Sequence, residues 1–385
     1  MINSLPKPDA DAAAHSQQLK LHIGRHIAEA GGWLDFAQYM DLVLYAPSLG
    51  YYSAGSKKFG PAGDFVTAPE LSPLFARTLA MQAADILRAT DGDVLELGAG
   101  SGRLAADVLL ELDRLQQLPS QYRILEISAH LRQVQKDYLQ KVLPAHLMLR
   151  VDWLDSLPEE FSGLVLGNEV LDALPVHIVH QQAEGLLMRG VGLSADGELE
   201  WVDQPADASI TSAFGNISLP EPYTTEICLA AGGLIASLAS MLRQGVVLLI
   251  DYGFPRHEYY HPQRQQGTLM CHYRHHAHTD PFLYPGLQDI TAHVDFTLIA
   301  ESAIQQGLAV LGYASQAQFL INCGITEYLA EVSPHDVAAY APLASSAQKL
   351  LSPAEMGELF KVIALGRGVD EPLRGFGRGD KRHTL

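Results

Sequence analysis

Five residues, Gly98-Ala99-Gly100-Ser101-Gly102, join the apolar run DVLELG (93–98) to RLAADVLLELDRL, whose apolar spacing is helical. Glycine lets the chain turn sharply and lets a ligand approach the main chain without a Cβ in the way. The amides that open the following helix add partial positive charge for a carboxylate or phosphate. A dinucleotide fingerprint reads GxGxxG, or ends in Ala. Here the sixth position is Arg103 and the third glycine falls one residue early, which leans away from NAD and FAD. Other polar groups fall where later strands are expected to end. Glu126 closes the second, where a carboxylate accepts hydrogen bonds from both hydroxyls of a ribose. Asp152 and Trp153 close the third, suited to an adenine amino group and to packing on its ring. Asn168 and Glu169 close the fourth. Each alone reads as a solvated strand end; four in succession read as a nucleoside site without a pyrophosphate.

The elements that must hold these groups follow from periodicity. DVLELG reads as a buried strand, YRILEI (122–127) as a second, LMLRVD (147–152) as a third and GLVLGN (163–168) as a fourth. Helical patterns, RLAADVLLELDRL and AHLRQVQKDYLQKV, separate the first three. Strands alternating with helices imply an α/β fold with a parallel sheet covered by helices on both faces. Upstream, 17–30 reads as a helix, Thr67-Ala-Pro-Glu70 as a capping box, and Ser72-Pro73 as a second cap. Residues 176–203 alternate polar and apolar with glycine turns and read as antiparallel strands inserted into or attached to the sheet. A helix is expected near 224–243, then the strand GVVLLIDYG. Residues 255–360 read as a lobe of loops and helices over the sheet's carboxyl edge, followed by a final strand, FKVIALGRG (360–368). The expected division is 1–75 for N-terminal helices and a covering loop, 76–254 for the ligand-binding core, 255–368 for an accessory lobe with the last strand, and 369–385 for a Gly- and Arg-rich disordered tail.

Composition narrows the class. The 385 residues carry 44 Asp plus Glu against 26 Lys plus Arg, a formal charge of −18. A phosphate-tracking surface needs a cationic face, so nucleic acid is not the expected partner. A cationic substrate such as a basic peptide suits the balance better. Cys228, Cys271 and Cys323 have no CxxC spacing and read as neither a disulfide framework nor a zinc knuckle. The apolar runs are strand-sized, so no membrane insertion is expected. With neither a secretory nor an Arg-rich leader pattern, the location expected is cytoplasmic.

GxGxG preceded by Glu96 resembles the first motif of S-adenosyl-L-methionine (SAM)-dependent methyltransferases. Over a longer span, GYYSAGSKKFGPAGDFVTAPELSPLF (50–75), VLELGAGSGRLAADVL (94–109), GNEVLDALPV (167–176), LLIDYGF (248–254) and GTLMCHYRHHAHTDPFLYPGLQDITAHVDF (267–296) resemble the MidA family. That family's mitochondrial member is a complex I assembly factor with protein-arginine methyltransferase activity. The resemblance implies a Rossmann-like class I methyltransferase sheet, SAM as cofactor, and an arginine-containing protein substrate such as a respiratory complex I subunit. A homodimer is compatible with it. Cofactor-binding candidates are Glu96, Gly98, Gly100, Gly102, Glu126, Asp152, Trp153, Asn168, Thr67 and Glu70. Candidates for orienting a cationic acceptor are Glu169, Asp172 and Asp64, with Glu70 as a further carboxylate. For three of these the plainer readings are a helix cap (Glu70), a turn (Asp64) and a surface charge (Asp172).

Tyr51, Tyr52, Phe59 and Phe65 are placed to close over a cofactor, or simply to pack. Asp251-Tyr252-Gly253 and His293-Val294-Asp295-Phe296 are placed to line the acceptor side. His257-Glu258-Tyr259-Tyr260-His261 matches HExxH, but Pro255 and Pro262 flank it and oppose the continuous helix that zinc binding needs. His272, His275, His276 and His278 lack regular ligand spacing, so no metal is expected. Two rival readings stand: a non-catalytic assembly protein that keeps a SAM pocket, and a small-molecule methyltransferase.

Overall fold

The computed structural model describes residues 5–54, 67–215 and 217–385. They form two compact units, one drawn from within 66–171, 232–256 and 294–385, the other from within 1–65, 172–231 and 257–293.

The first of these carries the main sheet. Its main strands are β1 (Asp93–Leu97), β2 (Tyr122–Leu125), β3 (Val151–Leu154), β4 (Phe161–Asn168), β5 (Leu242–Phe254), β6 (Ala309–Ser315) and β7 (Phe360–Arg367), with the two-residue strand Val294–Asp295 paired to the end of β5. Their order is β3-β2-β1-β4-β5-β7-β6. β1 to β5 run parallel, and β7 enters antiparallel between β5 and β6. The chain order reverses between β1 and β4, the position where open α/β sheets bind ligands outside their carboxyl ends. The middle strands are apolar on both faces: Val94, Leu95, Leu164, Val165, Leu166 and Val246 to Ile250 are all buried. Helices α1 (Pro73–Thr90), α2 (Arg103–Arg114) and α3 (Ala129–Val142) supply apolar faces. Leu79, Ala83, Leu109, Leu112 and Leu139 join Tyr122, Ile124 and Leu248 in one core. Ser72 and Ser128 start α1 and α3 by accepting from Leu74 N and Leu131 N.

Several expectations change here. Residues 147–150 are not strand: Ala145–Met148 is a helical turn, with Leu147 buried and Leu149 exposed. The strand starts four residues later, at Val151. The segment 255–360 is not one lobe, because 309–315 is strand β6 and 257–293 belongs to the other unit. The expected boundaries at 75, 254 and 368 therefore all fall inside the sheet unit. The 369–385 tail is ordered against the sheet unit. Phe376 packs on Phe319 at 5.4 Å between ring centroids, and Arg374 pairs with Asp85 at 2.8 Å. The tail glycine Gly375 is a close-packing residue, since a Cβ on it would lie 2.1 Å from the Phe319 ring. Low complexity here reflects tight contact rather than a missing core.

The other unit opens with helix Ala10–Glu29, capped by Asp9, and helix Phe36–Tyr45, which Asp35 and Gln38 close in a capping box. Strands His177–Gln182, Gly185–Leu193 and Leu199–Pro205 are antiparallel, as expected. They pair with Leu34–Asp35 and Tyr223–Ile227 in a sheet of their own rather than extending the main one. Tyr223–Ile227 replaces the start of the helix expected at 224. Its YTTEI sequence favours strand, and the helix is confined to Leu229–Met241. A three-stranded sheet of Met270–Tyr273, His276–His278 and Asp289–Thr291 completes the unit. No described helix is long and apolar enough to cross a membrane.

Candidate functional site

The glycine loop follows β1, beside the reversal in strand order. Gly98, Gly100 and Gly102 have φ of 61°, 53° and 83°. Three left-handed positions in five residues demand glycine, since any Cβ would be strained there. Gly102 is also the residue from which α2 starts, so the loop presents the first amides of that helix.

Three carboxylates organise the loop's surroundings. Glu96 is buried in β1 and accepts a hydrogen bond from Tyr122 OH at 2.6 Å. Burial pushes its carboxyl up to about 7; the Tyr122 bond pulls the other way, and the neighbouring Glu126 adds to the rise. Glu126, buried just past β2, accepts from Ser128 N at 3.0 Å and from Gln135 Nε2 at 2.9 Å. Glu70 does not close a capping box. Thr67 makes no side-chain cap bond, while Glu70 accepts from Ser101 Oγ of the glycine loop and lies 3.6 Å from Arg103 Nη1. The short helix Ala68–Leu71 is thus tied to the loop, and the plainer reading of Glu70 as a helix cap gives way.

Trp153 lies half-buried in β3 and donates its indole N–H to Gln135 Oε1 at 3.0 Å. Asp152 is not at a strand end. Because β3 begins at Val151, Asp152 is its second residue, exposed, and accepts from its own neighbour Trp153 N at 2.9 Å. At the carboxyl end of β4, Asn168 Nδ2 donates to Glu169 Oε1 at 3.0 Å. Asn168 Oδ1 is buried and has no hydrogen-bond partner among the described residues. Glu169 has φ 53°, uncommon for a residue with a side chain. The turn is held from β5: Glu169 N donates to Ile250 O, and the fully buried Asp251 accepts from Leu171 N at 2.8 Å.

Sequence reasoning missed Gln135, Arg132 and Ser101, and left Asp251 without a role. Arg132 ties two strand ends together, donating Nε to Glu126 O at 2.7 Å and Nη2 to Leu154 O. Gln135 carried a readable signal: it lies between Leu131 and Leu139 on the buried stripe of α3, and a polar residue at a core position needs partners.

The remaining candidates lie elsewhere. Asp64, Phe59 and Phe65 are outside the described residues. Asp172 belongs to the other unit, where it is buried rather than a surface charge and its carbonyl accepts from Ala292 N. In that unit Tyr51 is buried, while Tyr52 stacks on Tyr45 and donates its hydroxyl to Asp289 at 3.0 Å. Burial and the nearby Asp289 hold the Tyr52 hydroxyl well above its ordinary range. These two tyrosines are packed core rings. Asp295 caps the helix Phe296–Gln305 and pairs with Arg256 at 3.2 Å. Helix Arg256–Tyr259 stops before His261, which leaves the two histidines of HExxH on different elements.

The residues present have the chemistry SAM requires: a left-handed glycine turn free of Cβ atoms, the buried carboxylate of Glu126 just past a strand, and Asn168 Oδ1, buried with no hydrogen-bond partner among the described residues.

Comparison with known proteins agrees. A protein from Burkholderia thailandensis, solved with S-adenosyl-homocysteine bound, is 52% identical over 99% of this chain and 100% of its own, with a TM-score of 0.96. The "Protein arginine methyltransferase NDUFAF7, mitochondrial" of Mus musculus is 30% identical, covering 87% of this chain and 81% of its own. That of Danio rerio is 29% identical, covering 91% and 88%. These names correct the expected cytoplasmic location, because the relatives are mitochondrial. The pattern of the first residues carried too little information to place the protein. The model of the family described as "Putative S-adenosyl-L-methionine-dependent methyltransferase" matches residues 78–314. This chain therefore belongs to that family, in its MidA branch: it is a SAM-dependent methyltransferase with a Rossmann-like α/β fold, and SAM is its cofactor.

Proposed function

We propose that the chain methylates an arginine side chain of a polypeptide, with Glu169 holding the guanidinium. The observation that carries this reading is the Glu169 turn, a carboxylate held at φ 53° at the carboxyl end of β4 by contacts from β5. A backbone kept in a sparsely populated region needs support from its surroundings, and such positions cluster at functional sites. The relatives named as arginine methyltransferases, matched over most of both chains, support arginine as the acceptor. The acidic balance of the chain suits a cationic polypeptide.

In this reading SAM supplies an electrophilic methyl group. The guanidinium nitrogen attacks the methyl carbon, the carbon–sulfur bond breaks with its electron pair on sulfur, and the nitrogen releases a proton. Arginine needs no strong base beforehand, so placement and electrostatics carry the rate. Glu169 draws positive charge toward itself and away from the attacking nitrogen. Gly98, Gly100 and Gly102 floor the amino-acid end, Glu126 holds the ribose, Trp153 packs on the adenine, and Asn168 meets a polar group of the cofactor. Glu70 holds the loop through Ser101 from its short helix, which Thr67 precedes, and Glu96 lies in the strand that leads into it. Asp152 drops out of the set, and the acceptor role rests on Glu169 rather than on Asp64 or Asp172.

The test is transfer of a labelled methyl group to peptides that differ only in arginine or lysine. Label on the arginine peptide alone, reduced about 100-fold by Glu169→Gln with S-adenosyl-homocysteine binding retained, is expected. Label on lysine, or a Glu169→Gln variant as active as the natural chain, contradicts the reading.

A further inference from the structure

One side chain in the cofactor region touches three of its walls. Gln135 is fully buried. Its Nε2 donates to Gly100 O at 3.1 Å and to Glu126 Oε2 at 2.9 Å, while its Oε1 accepts from Trp153 Nε1 at 3.0 Å. A primary amide is the group this arrangement requires: two donors on one atom for a carbonyl and a carboxylate, and an acceptor on the other for an indole N–H. The partners also fix which end of the amide is which, since a flipped amide would aim its oxygen at two acceptors. Gln135 further packs beneath the last loop glycine, because a Cβ on Gly102 would lie 3.4 Å from its Cα.

We propose that Gln135 is the positioning residue of the SAM site, setting the glycine loop, Glu126 and the Trp153 ring in register so that the amino-acid end and the nucleoside end of the cofactor are held together. This rests on the cofactor site described above. Gln135 acts through those three groups and takes no part in bond making. A loop carbonyl, a strand-tip carboxylate and an indole from three separate segments would otherwise choose their orientations independently. One amide makes them a single preorganised surface.

Two variants separate this from a packing role, titrated calorimetrically with S-adenosyl-homocysteine beside the natural chain at pH 6 and pH 8. Gln135→Met keeps size and length but no hydrogen bonds. It is expected to weaken binding roughly tenfold or more, by the same factor at both pH values. Gln135→Glu keeps the acceptor for Trp153 but sets a carboxyl against Glu126 and the Gly100 carbonyl. When ionised it repels; when protonated it has one O–H for the two acceptors. The charged groups around it are Glu126 and its neighbour Glu96 on the strands, Lys136 beside Trp153, and Arg132 beneath Glu126. Expressing each affinity as a ratio to the natural chain at the same pH removes their own titration. The Gln135→Glu ratio is expected to exceed tenfold at pH 8 and to shrink at pH 6. Binding of both variants within about twofold of the natural chain at both pH values overturns the proposal. A natural chain that fails to bind S-adenosyl-homocysteine overturns the site reading beneath it as well.

Discussion

Glu96 makes stability depend on pH in a way that can be worked out. Its ordinary value is 4.5, and in the fold burial raises it to about 7. The folded state therefore holds the proton more tightly than the unfolded state, and the associated stability is fully present below about pH 4.5. It is lost as the pH rises toward and through 7. At pH 5 the protonated carboxyl stabilises the fold by roughly 2 to 3 kcal/mol relative to pH 8, where both states are ionised. Glu96→Gln puts a neutral amide of nearly the same shape against Tyr122 and removes the titration. Urea unfolding of the natural chain and the variant at pH 5, 6, 7 and 8 measures the difference. The stability of the variant relative to the natural chain should rise by about 2 to 3 kcal/mol between pH 5 and pH 8, with most of the change between pH 5 and 7. A gap that stays constant across that range would refute the reasoning, for it would mean that Glu96 keeps an ordinary carboxylate affinity despite its burial.

Gly98→Val places a β-branched residue at φ 61°; calorimetry should show S-adenosyl-homocysteine binding weakened by about tenfold or more, beyond any change in melting temperature. Tyr52→Phe strips Asp289 of a donor within the other unit, so urea melts should show a loss of about 1 to 3 kcal/mol. Phe376→Ala empties the contact with Phe319 and should cost about 3 to 5 kcal/mol, with faster proteolysis of the final residues.

The parallel half of the sheet was legible because its strands are buried on both faces and read as unbroken apolar runs, and because Ala129–Val142 and Arg103–Arg114 carry clear helical periods. Strand β6 was not, since AVLGYAS closely follows a helix and Gly307 and Gly312 interrupt its pattern. Residues 147–152 misled because Leu147 and Leu149 alternate as a strand would, although the first is buried and the second exposed on a single helical turn. Low complexity misread the tail, whose glycine and arginine are there for close contact and ion pairing. The positions of the glycine loop after β1 and of Glu126 and Asn168-Glu169 at the ends of β2 and β4 were legible because strand ends and glycine turns are written in the local pattern. Asp152 failed with the strand boundary that placed it. Arg132 and Asp251 act across segments distant in sequence, and no local pattern records such contacts; for Gln135 the buried stripe of α3 shows that partners are needed but not which ones.

In the proposed site Glu126 is the carboxylate that holds the ribose of SAM. Calorimetric titration of the natural chain and of Glu126→Ala with S-adenosyl-homocysteine measures this without depending on the acceptor. One molecule bound per natural chain, and affinity lower by roughly a hundredfold in the variant, is the predicted result. Equal affinity in the two proteins would place the cofactor elsewhere and contradict the site built here.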